Sequence, residues 1–212
     1  MGNKYSSFRV INVQPDSPAA SLHIEPMLDF IIYTPNETNP QSFHSYLSWN
    51  EGKEIELIFF NIASQKIWKG KVTPRKASNN DFLGLTLREE NYKSAHMKVI
   101  HIVNIFPNSP LSKAKFHSLF DYILGTDKET FANIESFTKF IKANNWKAID
   151  LFVYNSKLGN VKTLTLIPDS NWGGSGLLGG EIGSGHIHSL PTRKDKGSEI
   201  GMTETDKLLN ES

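Results

Sequence analysis

Val10-Ile11-Asn12-Val13-Gln14-Pro15-Asp16-Ser17-Pro18 returns 92 residues later as Ile102-Val103-Asn104-Ile105-Phe106-Pro107-Asn108-Ser109-Pro110. At the same offset Asp29-Phe30-Ile31-Ile32 meets Asp121-Tyr122-Ile123-Leu124. The offset becomes 94 where Ile55-Glu56-Leu57-Ile58-Phe59-Phe60-Asn61 meets Ile149-Asp150-Leu151-Phe152-Val153-Tyr154-Asn155, and 95 where Leu83-Gly84 meets Leu178-Gly179. A register that slips by only three over so many matches is a duplication with small loop insertions.

Each copy then reads in the same order. A strand at 10–13 or 102–105 alternates apolar and polar residues and stops at Pro-Asx-Ser-Pro, a turn cluster. There Ser17 or Ser109 is placed to cap a short helix with proline at its first position. A strand at 29–32 or 121–124 follows. Helical spacing next groups Phe43, Tyr46 and Leu47 near 40–49, with Pro40 at the start, and Phe137, Phe140 and Ile141 near 132–143. Two hairpin-like strands end at Thr73-Pro74 or Ile167-Pro168, and a last strand covers 82–87 or 177–182. Five or six short strands with two helices in under 100 residues predict a small, partly open β-barrel. The class is α+β, mainly β, in two tandem units at 8–91 and 96–191. The tail at 192–212 is charged and has no aromatic residue, which predicts disorder.

The composition narrows the function. The chain carries 23 Lys+Arg against 22 Asp+Glu and no cysteine in 212 residues. That balance makes no electrostatic case for nucleic acid, and the missing thiols exclude disulfides, thiol nucleophiles and Cys-based metal sites. No run approaches the roughly 20 apolar residues that span a bilayer. The first ten residues are mostly polar, so no signal peptide is expected, and the Asn36-Glu37-Thr38 sequon is expected to stay unglycosylated. The start Met1-Gly2-Asn3-Lys4-Tyr5-Ser6 fits the N-myristoylation pattern, with Gly2 as the acyl acceptor in a segment at 1–7. One myristoyl chain binds membranes marginally, which calls for a second attachment, expected to be a protein partner.

The second copy ends Asn171-Trp172-Gly173-Gly174-Ser175-Gly176-Leu177-Leu178-Gly179-Gly180-Glu181-Ile182. Its formal G-x-G-x-x-G precedes a strand rather than a helix, which argues against a dinucleotide site. A glycine-rich turn before an apolar strand suits peptide capture: bare N–H groups can face a carboxylate, and the strand edge can pair with an extended chain. The predicted second groove is Phe137, Phe140, Ile141, Leu177, Leu178, Gly179, Gly180 and Ile182. The first groove is Phe43, Tyr46, Leu47, Phe82, Leu83, Gly84, Leu85 and Leu87. The alternative is an ordinary turn and hairpin. His186 and His188 form an H-x-H on a segment read as extended, without a third ligand, so no metal and no cofactor are expected. Asp29 and Asp121 occupy equivalent places and point to a fold role, not a catalytic dyad. No enzyme is read in the chain.

These residues carry a resemblance. Tandem repeats opening V-x-x-x-S-P and D-[FY]-I, a repeat ending Asn-x-Trp-Gly-Gly-x-Gly-x-Leu-Gly, and the Met-Gly start resemble the Golgi reassembly and stacking protein (GRASP) family over about 1–193. The resemblance implies two circularly permuted PDZ-like domains on the cytoplasmic face of the Golgi, anchored by a myristoyl group and a golgin coiled-coil partner. It implies homo-oligomers that tether or stack membranes, with a segment after the second groove inserting into a neighbour's first groove. That segment aligns with Ser184, Gly185, His186 and Ile187. The alternative reading is a monomeric PDZ adaptor that binds cargo C-termini in the secretory pathway through the same grooves without self-association. Three departures matter. The first repeat reads Ala77-Ser78-Asn79-Asn80-Asp81-Phe82-Leu83-Gly84, without the Trp-Gly-Gly turn. Arg9 and Glu90 replace a His and a Cys that the family can use to share a zinc, which leaves two alternatives: an ion pair in the metal's place, or two unrelated exposed charges. The family's long Ser/Pro-rich tail has no counterpart in the residues after Pro191.

Overall fold

The computed structural model describes residues 5–35, 40–77 and 81–193. Gly2, Asn36 and the tail from 194 onward lie outside the described residues. The first repeat runs β1 (Ser6–Val13), β2 (Asp29–Tyr33), α1 (Phe43–Trp49), β3 (Ile55–Asn61), β4 (Lys66–Val72) and β5 (Leu85–Glu89). The second runs β6 (Ile100–Ile105), α2 (Pro110–Lys113), β7 (Asp121–Gly125), α3 (Ile134–Ala143), β8 (Ile149–Asn155), β9 (Asn160–Leu166) and β10 (Gly180–Gly183). Short 3₁₀ turns lie at Pro18–Ser21, Tyr92–Met97 and His186–His188.

Each repeat makes one antiparallel five-stranded sheet. The orders, β4-β3-β2-β1-β5 and β9-β8-β7-β6-β10, are the same order repeated. Neither sheet closes on itself, and among the described residues β5 and β10 are edges, each paired on one side alone.

Side-chain parity explains how the sheets stack. Ile31 and Tyr33 of β2 point into the first repeat's own core, with Val10, Phe43, Leu47, Phe59 and Leu83. Phe30 and Ile32 point the other way, into a core shared with Tyr122, Leu124 and Tyr154 of the second repeat. Ile123 of β7 returns to the second repeat's core, with Phe131, Phe137 and Leu151. Both faces of β2 and β7 are therefore covered, and no residue of either strand is exposed. A strand with consecutive apolar residues, Phe30–Tyr33 or Tyr122–Leu124, needs this two-sided burial. Each such side chain contributes about 1.5–3 kcal/mol by leaving water.

The equivalent aspartates lock equivalent corners. Asp29 accepts from the Glu25 backbone N–H at 2.7 Å and from Asn61 Nδ2 at 2.8 Å, and Asn61 Oδ1 in turn accepts from the Ala63 and Ser64 N–H groups. Asp121 accepts from the His117 N–H at 2.9 Å and Asn155 Nδ2 at 2.6 Å, with Asn155 Oδ1 taking the Leu158 N–H. Buried polar groups satisfied on all sides are a fold device. The Asx of each Pro-Asx-Ser-Pro turn also repeats its conformation, with φ of 58° at Asp16 and 60° at Asn108.

Several sequence expectations need correction. The first helix starts after Ser42, whose hydroxyl accepts from the Ser45 N–H, and not at Pro40, whose carbonyl instead accepts from Tyr33 Oη. The counterpart helix starts at Ile134, behind an Asn133/Ser136 capping box. Ser109 caps α2 as expected, while Ser17 makes no cap bond to the 3₁₀ turn that replaces a helix in the first repeat. The last strands start and end later than 82–87 and 177–182, because the carbonyls of 82–84 and 177–179 accept from Arg75, Ala19 and Gln14 or from Asp169, Leu111 and Phe106 instead of from a ladder partner. The H-x-H segment is not extended: His186–His188 is a 3₁₀ turn. Arg193, read as part of a disordered tail, is held by its own N–H on the Ala63 carbonyl and by its guanidinium on Glu25.

Candidate functional site

The approach to each edge strand is the same in both repeats. In the first, the Arg75 N–H donates to the Phe82 carbonyl, the Ala19 N–H to Leu83 and the Gln14 N–H to Gly84, at 2.8–3.0 Å. In the second, the Asp169, Leu111 and Phe106 N–H groups donate to Leu177, Leu178 and Gly179, at 2.9–3.1 Å. Gly84 and Gly179 both sit in the left-handed region, with φ of 74° and 70°. A Cβ on either would fall 2.1 or 2.2 Å from the Cβ of Ser17 or Ser109, so glycine is required twice over.

Side chains differ where the backbones agree. In the first repeat Phe82 and Leu83 are 2% and 1% exposed, and Phe43, Leu47 and Leu85 are buried with them. His44 stands edge-on to Phe82 at 5.3 Å, and Phe8 stacks on Phe43 at 5.4 Å. Of the predicted first groove, only Tyr46 and Leu87 are half-buried; the others, Gly84 included, are core. In the second repeat Phe137, Ile141 and Gly179 are buried, but Phe140, Leu177, Leu178, Gly180 and Ile182 remain half-buried along the edge. Trp172 folds over the preceding turn, its indole N–H donating to the Gly176 carbonyl at 2.9 Å.

Donors differ too. The N–H groups of Leu83 and Gly84 both donate to Asp81 Oδ1, at 2.9 and 3.0 Å. Those of Leu178 and Gly179 meet no acceptor among the described residues. A cleft of about 600 Å³, lined by Gln14, Asp16, Ser17, Lys71, Arg75 and Gly84 among others, adjoins the first loop.

The joint beside the first edge carries the ion pair. Arg9 is fully buried and grips Glu90 through Nε at 2.9 Å and Nη2 at 2.8 Å, while its Nη1 donates to the Met27 carbonyl at 2.6 Å. The guanidinium also lies 4.6 Å from the centre of the Phe30 ring. Burial and the charge of Arg9 lower the pKa of neighbouring Arg88, whose Nε is 4.0 Å from the same carboxylate. Glu90 faces both guanidiniums, with Asp127 and Glu129 also favouring the charge on Arg88.

The same position in the second repeat is His101. Its Nε2 faces the Leu119 carbonyl at 3.2 Å, and its Nδ1 lies 3.1 Å from His188 Nδ1. The 92-residue offset from Arg9 was the signal that could have found it. Burial first, then charge on His188, lowers the His101 pKa; burial first, then His186, lowers that of His96. Among the described residues no group of three His, Cys, Asp or Glu could hold a metal ion. Of the segment 184–187, Ile187 is 87% exposed and Ser184 half-buried.

An open sheet whose last strand is a free edge beside a helix, present twice in one chain, defines a tandem PDZ-like protein, the architecture that accepts peptides by strand addition. The chain matches the GRASP55/65 PDZ-like domain over residues 3–80 and 57–193, and it belongs to that family. It is 30% identical over 190 residues to human Golgi reassembly-stacking protein 1, covering 88% of this chain and 43% of the relative. The mouse protein of that name is 31% identical, with 88% and 42% covered. An uncharacterized protein of Schizosaccharomyces pombe is 27% identical, with 87% and 53% covered. The chain thus spans about half the length of these relatives or less.

Proposed function

We propose that this chain is a membrane-anchored, self-associating peptide-binding scaffold that tethers or stacks Golgi membranes from their cytoplasmic face. The observation that carries the reading is the second repeat's edge. Two N–H donors at Leu178 and Gly179, without an acceptor among the described residues, stand beside half-buried Leu177, Leu178, Phe140 and Ile182. A peptide carboxylate or carbonyl satisfies the donors, the free side of β10 takes the peptide backbone, and the apolar side chains take a peptide residue. The names of the human and mouse relatives support the Golgi assignment.

Self-association uses the segment Ser184, Gly185, His186 and Ile187, with exposed Ile187 as its apolar anchor. A golgin-type coiled-coil partner and the acyl group on Gly2 supply the two membrane attachments that reversible acyl binding requires. Sedimentation of the unacylated protein tests self-association: mass rising with concentration supports the scaffold, and a monomer throughout supports the cargo-binding adaptor. Fractionation of Gly2→Ala tests the anchor: the variant is expected in the soluble fraction, and full membrane retention refutes acyl anchoring.

A further inference from the structure

The two loops before β5 and β10 share their backbone contacts, their positive-φ glycine and its serine neighbour. One difference follows from sequence. The 95-residue offset that pairs Gly84 with Gly179 pairs Asp81 with Gly176. In the first repeat that side chain puts one carboxylate oxygen on both loop donors, at 2.9 and 3.0 Å. In the second repeat Gly176 has no side chain to offer, and the equivalent donors meet no acceptor among the described residues. Two adjacent backbone N–H groups converging on one anionic oxygen is the arrangement by which such loops hold a chain's terminal carboxylate. The first repeat shows that this backbone grips a carboxylate, and the carboxylate is its own.

We propose that Asp81 is a built-in ligand of the first repeat's loop, so that a partner's free C-terminus has one groove to enter, the second. The apolar side agrees: Phe82 and Leu83 are buried where their counterparts Leu177 and Leu178 stay half-exposed to receive an apolar last residue. The two repeats then divide the work. The second selects partners by their terminal carboxylate, and the first is closed to them by its sequence. This rests on the peptide-binding reading above.

The test uses the full chain and a degenerate pool of eight-residue peptides ending in Leu, Ile or Val, made as free acids and as C-terminal amides. Backbone amide NMR shifts and calorimetric stoichiometry are read for wild type, Asp81→Ala and Asp81→Asn. In wild type we expect one site per chain, with shifts confined to 177–183 and binding about tenfold or more weaker for the amides, which lack the charged acceptor. Asp81→Ala should add a second, weaker site with shifts at 83–87. Asp81→Asn keeps a side-chain oxygen on the donors and should leave the first loop closed. Amide hydrogen exchange gives a readout without ligand: Leu83 and Gly84 should be slow in wild type and Asp81→Asn, Leu178 and Gly179 fast. Equal exchange at all four amides in wild type, or wild-type shifts at Leu83 and Gly84 with the free acids, would overturn the proposal. So would a well-folded Asp81→Ala that keeps a single site. Equal binding of acids and amides would overturn it while leaving peptide binding intact. No binding by any variant, with Leu83 and Gly84 still protected, would overturn the peptide-binding reading itself.

Discussion

Glu90→Ala leaves the Arg9 guanidinium fully buried, with the Met27 carbonyl and the Phe30 ring as its remaining contacts, and still facing Arg88. Removing one partner of a buried ion pair costs about 3–5 kcal/mol, because the other charge has given up its water and receives nothing back. For a chain of this size that is a fall of roughly 10 °C in Tm. Arg9→Met should cost less. The Glu90 carboxylate then keeps Thr130 Oγ1 at 3.5 Å and Arg88 at 4.0 Å, and its side chain is 9% exposed. The double variant Arg9→Met/Glu90→Leu should recover part of the loss, since an apolar pair of similar volume needs no charge compensation. Urea unfolding of wild type, Arg9→Met, Glu90→Leu and the double variant closes the cycle. A coupling of about 1–3 kcal/mol is expected for groups in direct contact. Strictly additive single losses, or a Glu90→Ala cost under about 1 kcal/mol, would refute the clamp and reduce Arg9–Glu90 to an ordinary surface pair.

Three further outcomes follow from the same geometry. His101 and His96 have pKa values lowered by burial and by His188 and His186, so the unfolded chain takes up protons before the native one. Stability should hold above about pH 6.5 and fall as pH drops toward the lower native values; His188→Asn should flatten that fall, and a profile unchanged by it would refute the pair's role. Asp29 shows the opposite sign: burial raises its pKa from 3.8 to about 6. Its ionisation should cost about 3 kcal/mol, a penalty that grows as pH rises from about 4 to 6; a carboxyl NMR titration placing it near 4 would refute the assignment. Leu177→Ser should weaken binding of peptide free acids severalfold with little change in the melting curve, whereas Phe137→Ala, at a fully buried position, should cost about 3–5 kcal/mol in stability.

The duplication made most of the fold legible. Offsets of 92–95 aligned strands, turns and the buried Asp29/Asp121 pair, because both copies must solve the same packing problem. Helix starts were misplaced at Pro40 and near 132, because Ser42 and Asn133 offer side-chain oxygens to the first-turn N–H groups, which proline cannot. Most of the expected first groove is packed inside the core. Phe43, Leu47, Phe82, Leu83 and Leu85 show the pattern of a groove wall, but whether an apolar wall faces a peptide or the opposite wall depends on the separation of β5 and α1, which no spacing encodes. The Arg9–Glu90 pair was legible from family-aligned positions. The His101–His188 contact was not, because the H-x-H at 186–188 reads as extended whereas Gly185, at φ 85°, opens a 3₁₀ turn that brings His188 back to β6. Asp81 lay in plain view two residues before Leu83, an Asx positioned to bond the backbone ahead of it.

Vesicle clustering, followed by light scattering, puts the scaffold claim to its most direct test. Vesicles would carry the N-myristoylated chain at matched surface density, as wild type or as Ile187→Asp. The account predicts that wild-type vesicles cluster, that they disperse when unacylated chain is added in excess, and that the variant's vesicles stay apart. Vesicles fully loaded with wild-type chain that remain dispersed would contradict it.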